Sequence, residues 1–160
     1  MKFNTKLLHG NKMGDANTGA TLTPVYQSSA FYQPSAEQHE KLFHNKATGF
    51  SYTRINNPTI FAFEERMTAL EGGIASVACA SGMAAITNAL LNIVTCGQEI
   101  VASTSLYGGS IDVFHDFEAF GIKTVFVDIS DVNAVEAAIN ENTRVIFAET
   151  IGNPKLDVVD

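Results

Sequence analysis

GQEIVASTSLYGGSIDVFHDFEAFGIKTVFVD, residues 97–128, is the stretch that decides the fold. Glu99 to Ala102 reads as a short strand, and Ser103 to Gly109 as a polar loop. A helix is expected from about Ser110 to Phe120, closed by Gly121, with a further strand over Lys123 to Val127. Strand, loop, helix and strand in that order mark a parallel crossover unit. The pattern continues downstream. Ser130 caps a helix to about Asn140, with Val135 and Ile139 facing inward, and Arg144 to Ala148 is a strand running into Glu149-Thr150-Ile151-Gly152-Asn153-Pro154. Upstream, a helix from about Gly82 to Thr95 is closed by Gly97. The apolar run Ile74 to Ala80 before it reads as a strand buried on both faces. Earlier still, Asn57-Pro58 is a helix start. Ile60, Phe63, Met67 and Leu70 share one face of that helix, and Gly72-Gly73 end it. The expected fold class is therefore α/β, a mostly parallel sheet with helices on both faces. Such sheets bind ligands beyond the carboxyl ends of their strands. That singles out Ser81-Gly82-Met83, Ser103 to Gly109, Asp128 and Glu149 to Pro154.

Residues 1 to about 57 lack sustained periodicity but carry isolated aromatics (Tyr26, Phe31, Tyr32, Phe43, Phe50, Tyr52). They read as an extended arm that packs on something, with another subunit as one candidate. The 160 residues are 46% hydrophobic and 17% charged, which suits a globular domain. A net charge of -7 without Lys/Arg-rich stretches argues against nucleic acid or an anionic membrane as partner. No charged residue falls between Glu71 and Glu99, but polar residues and the Ser81-Gly82 break point to a buried strand and helix rather than a membrane span. The N-terminus has no secretory signal, and Cys79 and Cys96 read as buried reduced thiols of a cytoplasmic protein.

Several chemistries are absent as motifs. There is no GxGxxG after a strand, no P-loop, no GxSxG, and His9, His39, His44 and His115 have no metal-ligand spacing. Three segments carry candidates. Ser81-Gly82-Met83 opens a helix, where unpaired N–H groups and the dipole suit a phosphate; small residues there equally serve helix–sheet packing. In YTRINNPT (52–59), Arg54 offers a fork of donors and Tyr52 a hydroxyl two residues away. In an extended segment both face one side and reach one anion; a surface ion pair is the plain alternative for Arg54. In Leu106-Tyr107-Gly108-Gly109, a tyrosine beside glycines can stack on a flat ring or simply cover the sheet edge.

Taken in order, TLTPVYQSSAF, YTRINNPT, ALEGG, CASGMAAI, STSLYGG and ETIGNP resemble the pyridoxal 5'-phosphate (PLP) enzymes that handle cysteine, homocysteine and methionine. The resemblance covers essentially the whole chain and looks most like the O-acetylhomoserine sulfhydrylase branch. Methionine gamma-lyases tend to have a cysteine where this chain has Gly109. The resemblance implies the large domain of the PLP-dependent transferase (aspartate aminotransferase-like) fold. It assigns residues 1–57 as an arm making inter-subunit contacts and 58–160 as an incomplete PLP-binding domain, with the C-terminal domain absent. It implies that Tyr52 and Arg54 bind the PLP phosphate of a neighbouring subunit, and that Ser81, Gly82 and Met83 bind that of their own. Tyr107 would stack on the ring and act in proton transfer, and Asn153 would hydrogen-bond near the phenolic oxygen. Glu149 would support that loop. The implied partners are an amino-acid substrate and the chain itself, as a homotetramer with shared sites; no metal is implied.

The implied reaction is gamma-replacement: O-acetylhomoserine loses acetate and gains sulfide or a thiol, giving homocysteine or methionine. A gamma-lyase, a cystathionine gamma-synthase, a non-catalytic subunit-interaction module and an unrelated nucleotide-binding domain stay open. The family's cofactor lysine and the aspartate that pairs with the ring nitrogen lie further along than Asp160, and Lys155, Asp157 and Asp160 match neither. The expectation is that these residues alone are inactive and aggregation-prone, because a hydrophobic sheet edge is left open.

Overall fold

The computed structural model describes residues 2–10 and 14–159. The chain divides into two compact units, one up to Ala78 and one from Cys79.

In the first unit, helices α1 (Phe3–His9) and α2 (Ala36–Phe43) stand where the sequence suggested only an extended arm. The signal for α2 was present: the Ser35 hydroxyl accepts from the Gln38 N–H at 3.1 Å, the cap of an S-x-x-Q box. α3 (Pro58–Glu71) begins as expected, with the Asn57 side chain accepting from the Thr59 N–H at 2.8 Å, and ends on Gly72 in the left-handed region. Its apolar face is only partly covered: Ile60 and Phe63 remain exposed, while Met67 and Leu70 are half-buried. α1 packs on α3, where Arg66 donates to the Gly10 and Leu8 carbonyls at 2.9 and 3.2 Å.

The clearest departure is Ile74 to Ala80. The run is not helical and joins no strand ladder among the described residues, its Ala78 N–H donating instead to Glu64 Oε1 at 2.8 Å, and Ile74 and Val77 are 103% and 84% exposed. Its apolar composition suits a buried strand, but a strand forms only where a neighbour completes its hydrogen-bond ladder.

The second unit holds α4 (Gly82–Leu91), β1 (Glu99–Ser103), α5 (Gly108–Asp116), a 3₁₀ turn (Phe117–Phe120), β2 (Lys123–Val127), α6 (Val132–Ala138) and β3 (Thr143–Phe147). The three strands are parallel in the order β2-β1-β3. The fold is thus α/β, as expected. β1 is buried along its whole length, which explains its uninterrupted apolar centre. α4 stops at Leu91 rather than Thr95 because the chain turns there and drives Val94, 2% exposed, into the core. Asp131, not Ser130, caps α6, its carboxylate accepting from the Asn133 and Ala134 N–H groups. Phe114 is the centre of the core, its ring 5.1–6.2 Å from those of Phe117, Phe126 and Phe147. The cysteines are not both buried: Cys96 is exposed and Cys79 half-buried, with the Asn88 amide 3.7 Å from its sulfur.

Candidate functional site

All four places singled out in the sequence fall in the second unit, three as loops at strand ends and one as a helix start. Ser81 caps α4, its hydroxyl accepting from the Ala84 N–H at 3.1 Å. The Gly82 and Met83 N–H groups are the first two of the helix and have no intrahelical acceptor. A Cβ on Gly82 would meet nothing within 4 Å, so the space before this helix end is open. Leu90, 4% exposed, seats the far end of α4 in the core. The arrangement is a fixed pair of donors at a positive dipole end, which fits a phosphate.

Tyr107 is the N-cap residue of α5 and is 52% exposed. Its ring lies back over Gly109: a Cβ there would stand 2.6 Å from the ring's Cε1. The Tyr107 N–H donates to Glu149 Oε1 at 3.0 Å, which ties the loop after β1 to the segment after β3. That segment is a small hairpin. Ile151 bridges Val158, the Gly152 N–H donates to the Asp157 carbonyl at 2.7 Å, and Asn153 sits exposed at the turn before Pro154. Ser105, 6% exposed, donates its hydroxyl to Asp157 Oδ1 at 2.5 Å. Ser105 lies in the loop singled out in the sequence but Asp157 did not stand out; at a separation of 52 residues, no spacing rule reveals the pair.

Asp128, after β2, is occupied as a turn cap. Its carboxylate accepts from the Ser130 hydroxyl at 2.6 Å and from the Ser130 N–H at 3.0 Å, and these bonds hold its carboxyl below the usual range.

Tyr52 and Arg54 lie in the first unit. The backbone there is a turn rather than the extended segment expected, with the Ile55 and Asn56 N–H groups donating to the Tyr52 carbonyl. The turn still brings the pair together: the Arg54 guanidinium stands 5.3 Å from the Tyr52 ring centroid. The turn is held in place. Thr53 bonds the Ser28 and Ser29 carbonyls, and the Asn57 amide donates to Thr53 Oγ1 and the Tyr26 carbonyl. Concavities of about 530 and 590 Å³ occur in this unit, and neither is lined by Tyr52 or Arg54. Among the described residues no group of three or more His, Cys, Asp or Glu is placed to hold a metal. No described helix is long and apolar enough to cross a membrane.

The sequence profile of the Cys/Met metabolism PLP-dependent enzymes matches residues 4–160. The chain belongs to this family. Family members depend on PLP, and the open donor pair at α4 together with the exposed Tyr107 ring fits such a group. The family chain is 46% identical to the O-acetyl-L-homoserine sulfhydrylase of Leptospira meyeri over 99% of its own length and 36% of the relative's. It is 42% identical to the cystathionine gamma-lyase of Bacillus subtilis, covering 100% of this chain and 40% of that one. An O-acetylhomoserine (thiol)-lyase from Campylobacter jejuni, solved with N'-pyridoxyl-lysine-5'-monophosphate, superposes with a TM-score of 0.91 at 31% identity, over 100% of this chain and 40% of the other. The chain thus spans 36–40% of the length of these relatives.

Proposed function

We propose that this chain supplies the phosphate and ring contacts of a PLP enzyme that carries out gamma-replacement on O-acetylhomoserine with sulfide or a thiol, giving homocysteine or methionine. PLP, when bound, withdraws electrons from the substrate's α-carbon and so makes bonds at the neighbouring carbons labile. The chain's own residues do the holding. Gly82 and Met83 bind the phosphate through their N–H groups, beneath the Ser81 cap. Tyr107 lies against the ring, and its hydroxyl moves a proton. Asn153 hydrogen-bonds at the ring's phenolic edge. Tyr52 and Arg54 reach the phosphate of a neighbouring subunit from the arm, which makes the working form an oligomer, the family's tetramer, in the cytoplasm.

The observation that carries the choice of reaction is the pose of Tyr107 over Gly109, where a Cβ would stand 2.6 Å from the ring. That pose needs glycine at 109, which suits the sulfhydrylase branch and not the methionine gamma-lyases, which tend to have cysteine there. The identity to the Leptospira meyeri sulfhydrylase supports the same choice.

The test is product analysis with the full-length protein loaded with PLP. Homocysteine formed from O-acetylhomoserine and sulfide, faster than 2-oxobutanoate from methionine or from cystathionine, is the expected result. Faster release of 2-oxobutanoate and methanethiol from methionine would overturn it in favour of a gamma-lyase.

A further inference from the structure

We propose that Ser105 and Asp157 form a latch that positions Tyr107 and Asn153 against the cofactor. The inference rests on the reading of those two as ring-contacting residues. The loop after β1 and the hairpin after β3 are joined at two points: the Tyr107 N–H to Glu149 Oε1 at 3.0 Å, and the Ser105 hydroxyl to Asp157 Oδ1 at 2.5 Å. One attachment leaves a hinge; two fix orientation as well as distance.

Each side of the latch is anchored. The Ser105 N–H donates to Ser103 Oγ at 3.0 Å, and Ser103 is the last residue of the buried central strand, 1% exposed. Across the gap, the Gly152 N–H donates to the Asp157 carbonyl at 2.7 Å and the Leu156 N–H to the Gly152 carbonyl at 3.0 Å. These bonds close the turn that carries Asn153. Gly152 is buried between the partners, and a Cβ on it would run into both Ser105 Oγ and Asp157 Oδ1. The latch and the glycine therefore require each other. A hydroxyl donating to a carboxylate is about twice as strong as a neutral pair. Asp157 acts through Ser105 and the turn, so it is a positioning residue.

The test uses the full-length protein with Ser105→Ala, Asp157→Ala, the double substitution, and Asp157→Asn, which keeps an acceptor oxygen. The readouts are PLP affinity, the visible circular dichroism of bound PLP, and amide hydrogen exchange at Tyr107 in the cofactor-free protein. Each alanine variant is expected to weaken PLP binding about tenfold, to reduce the visible dichroism and to speed exchange at Tyr107. The double variant should be no worse than either single, and Asp157→Asn should recover about half of the Asp157→Ala effect. Wild-type affinity, dichroism and exchange in the alanine variants would overturn the latch, as would additive losses or an Asp157→Asn as impaired as Asp157→Ala. If the unaltered protein gave no visible dichroism with PLP, the cofactor reading would fail instead. The exchange rate at Tyr107 would then still decide whether the latch exists.

Discussion

Gly109→Ala separates stability from chemistry, because the structure sets the two effects against each other. The added Cβ would stand 2.6 Å from Tyr107 Cε1, 3.3 Å from Cδ1 and 3.4 Å from Cζ. Ordinary carbon contacts begin near ~3.5 Å, so the ring edge must move by roughly 1 Å. The ring is 52% exposed and hinged only on its own side chain, so it can swing away. Holding it off its preferred rotamer costs about 0.5–1.5 kcal/mol. Against this, Gly109 is the second residue of α5, and alanine there gains about 0.5–1 kcal/mol over glycine in helix. The two nearly cancel, and the melting temperature should shift by no more than a few degrees. The displaced ring is another matter, since a misplacement of about 1 Å can lower a rate by about a hundredfold. In the full-length protein, kcat/KM for homocysteine formation should fall by about ten- to a hundredfold while thermal unfolding barely changes. A variant with full activity and unaltered visible dichroism would refute the reasoning, because it would show that the pose of Tyr107 over Gly109 does not matter.

Other outcomes follow from the same structure. Phe114→Ala should destabilise the full-length protein by about 3–5 kcal/mol in chemical denaturation, since a central aromatic is lost from a closed core. Glu99 is hydrogen-bonded by the Asn140 amide at 2.7 Å and paired with Lys123 at 3.1 Å, and these partners hold its carboxyl below the usual range. Its folded pKa is lower than its unfolded one, so its stabilisation is complete above the unfolded value and is lost as pH falls through the folded one. Asn140→Ala should raise the pH of acid unfolding, and Glu99→Gln should flatten that dependence, in melts recorded from neutral pH downward. Arg54→Ala should weaken PLP retention in the assembled protein, with Arg54→Lys recovering little because it lacks the planar fork; equal retention by all three forms would contradict the phosphate role. Residues 1–160 expressed alone should bind a hydrophobic dye and sediment as aggregates, given the exposure of Ile74, Val77 and Phe63.

Legibility followed the range of the interaction. The Asn57 cap with Pro58, the break at Gly121 and the buried strand Glu99–Ser103 are local signals, and all stand in the structure. The order YTR, SGM, LYG and GNP carried the family because a motif series survives without contacts. What did not read out was non-local. Ile74–Ala80 has strand composition, yet pairing depends on a neighbour that no periodicity within the run can supply. The Tyr52–Arg54 approach was expected from extended geometry and comes instead from a turn whose hydrogen bonds reach back to Ser28 and Ser29. The resemblance implied Glu149 only as a support of the Asn153 loop, whereas its carboxylate accepts from the Tyr107 N–H in another loop, 42 residues away.

Register explains how such distant residues meet. β1 and β3 pair as Glu99↔Thr143, then Ile100↔Val145, Val101↔Ile146 and Ala102↔Phe147, so Arg144 is skipped at the start of the ladder. That single extra residue sets β3 back by one place against β1. Without it, Ala102 would face Ile146, and Glu149 would sit one residue further along, about 3.3 Å beyond its present place. A hydrogen bond of 3.0 Å to the Tyr107 N–H does not survive such a slip, and the Ser105–Asp157 contact would be displaced with it. The irregularity is held where it occurs, since Arg144 Nη1 donates to the Glu141 and Thr143 carbonyls at 2.8 and 3.0 Å. A one-residue shift at the amino end of a strand thus sets the alignment of the two loops at its carboxyl end. Those loops carry Tyr107 and Asn153.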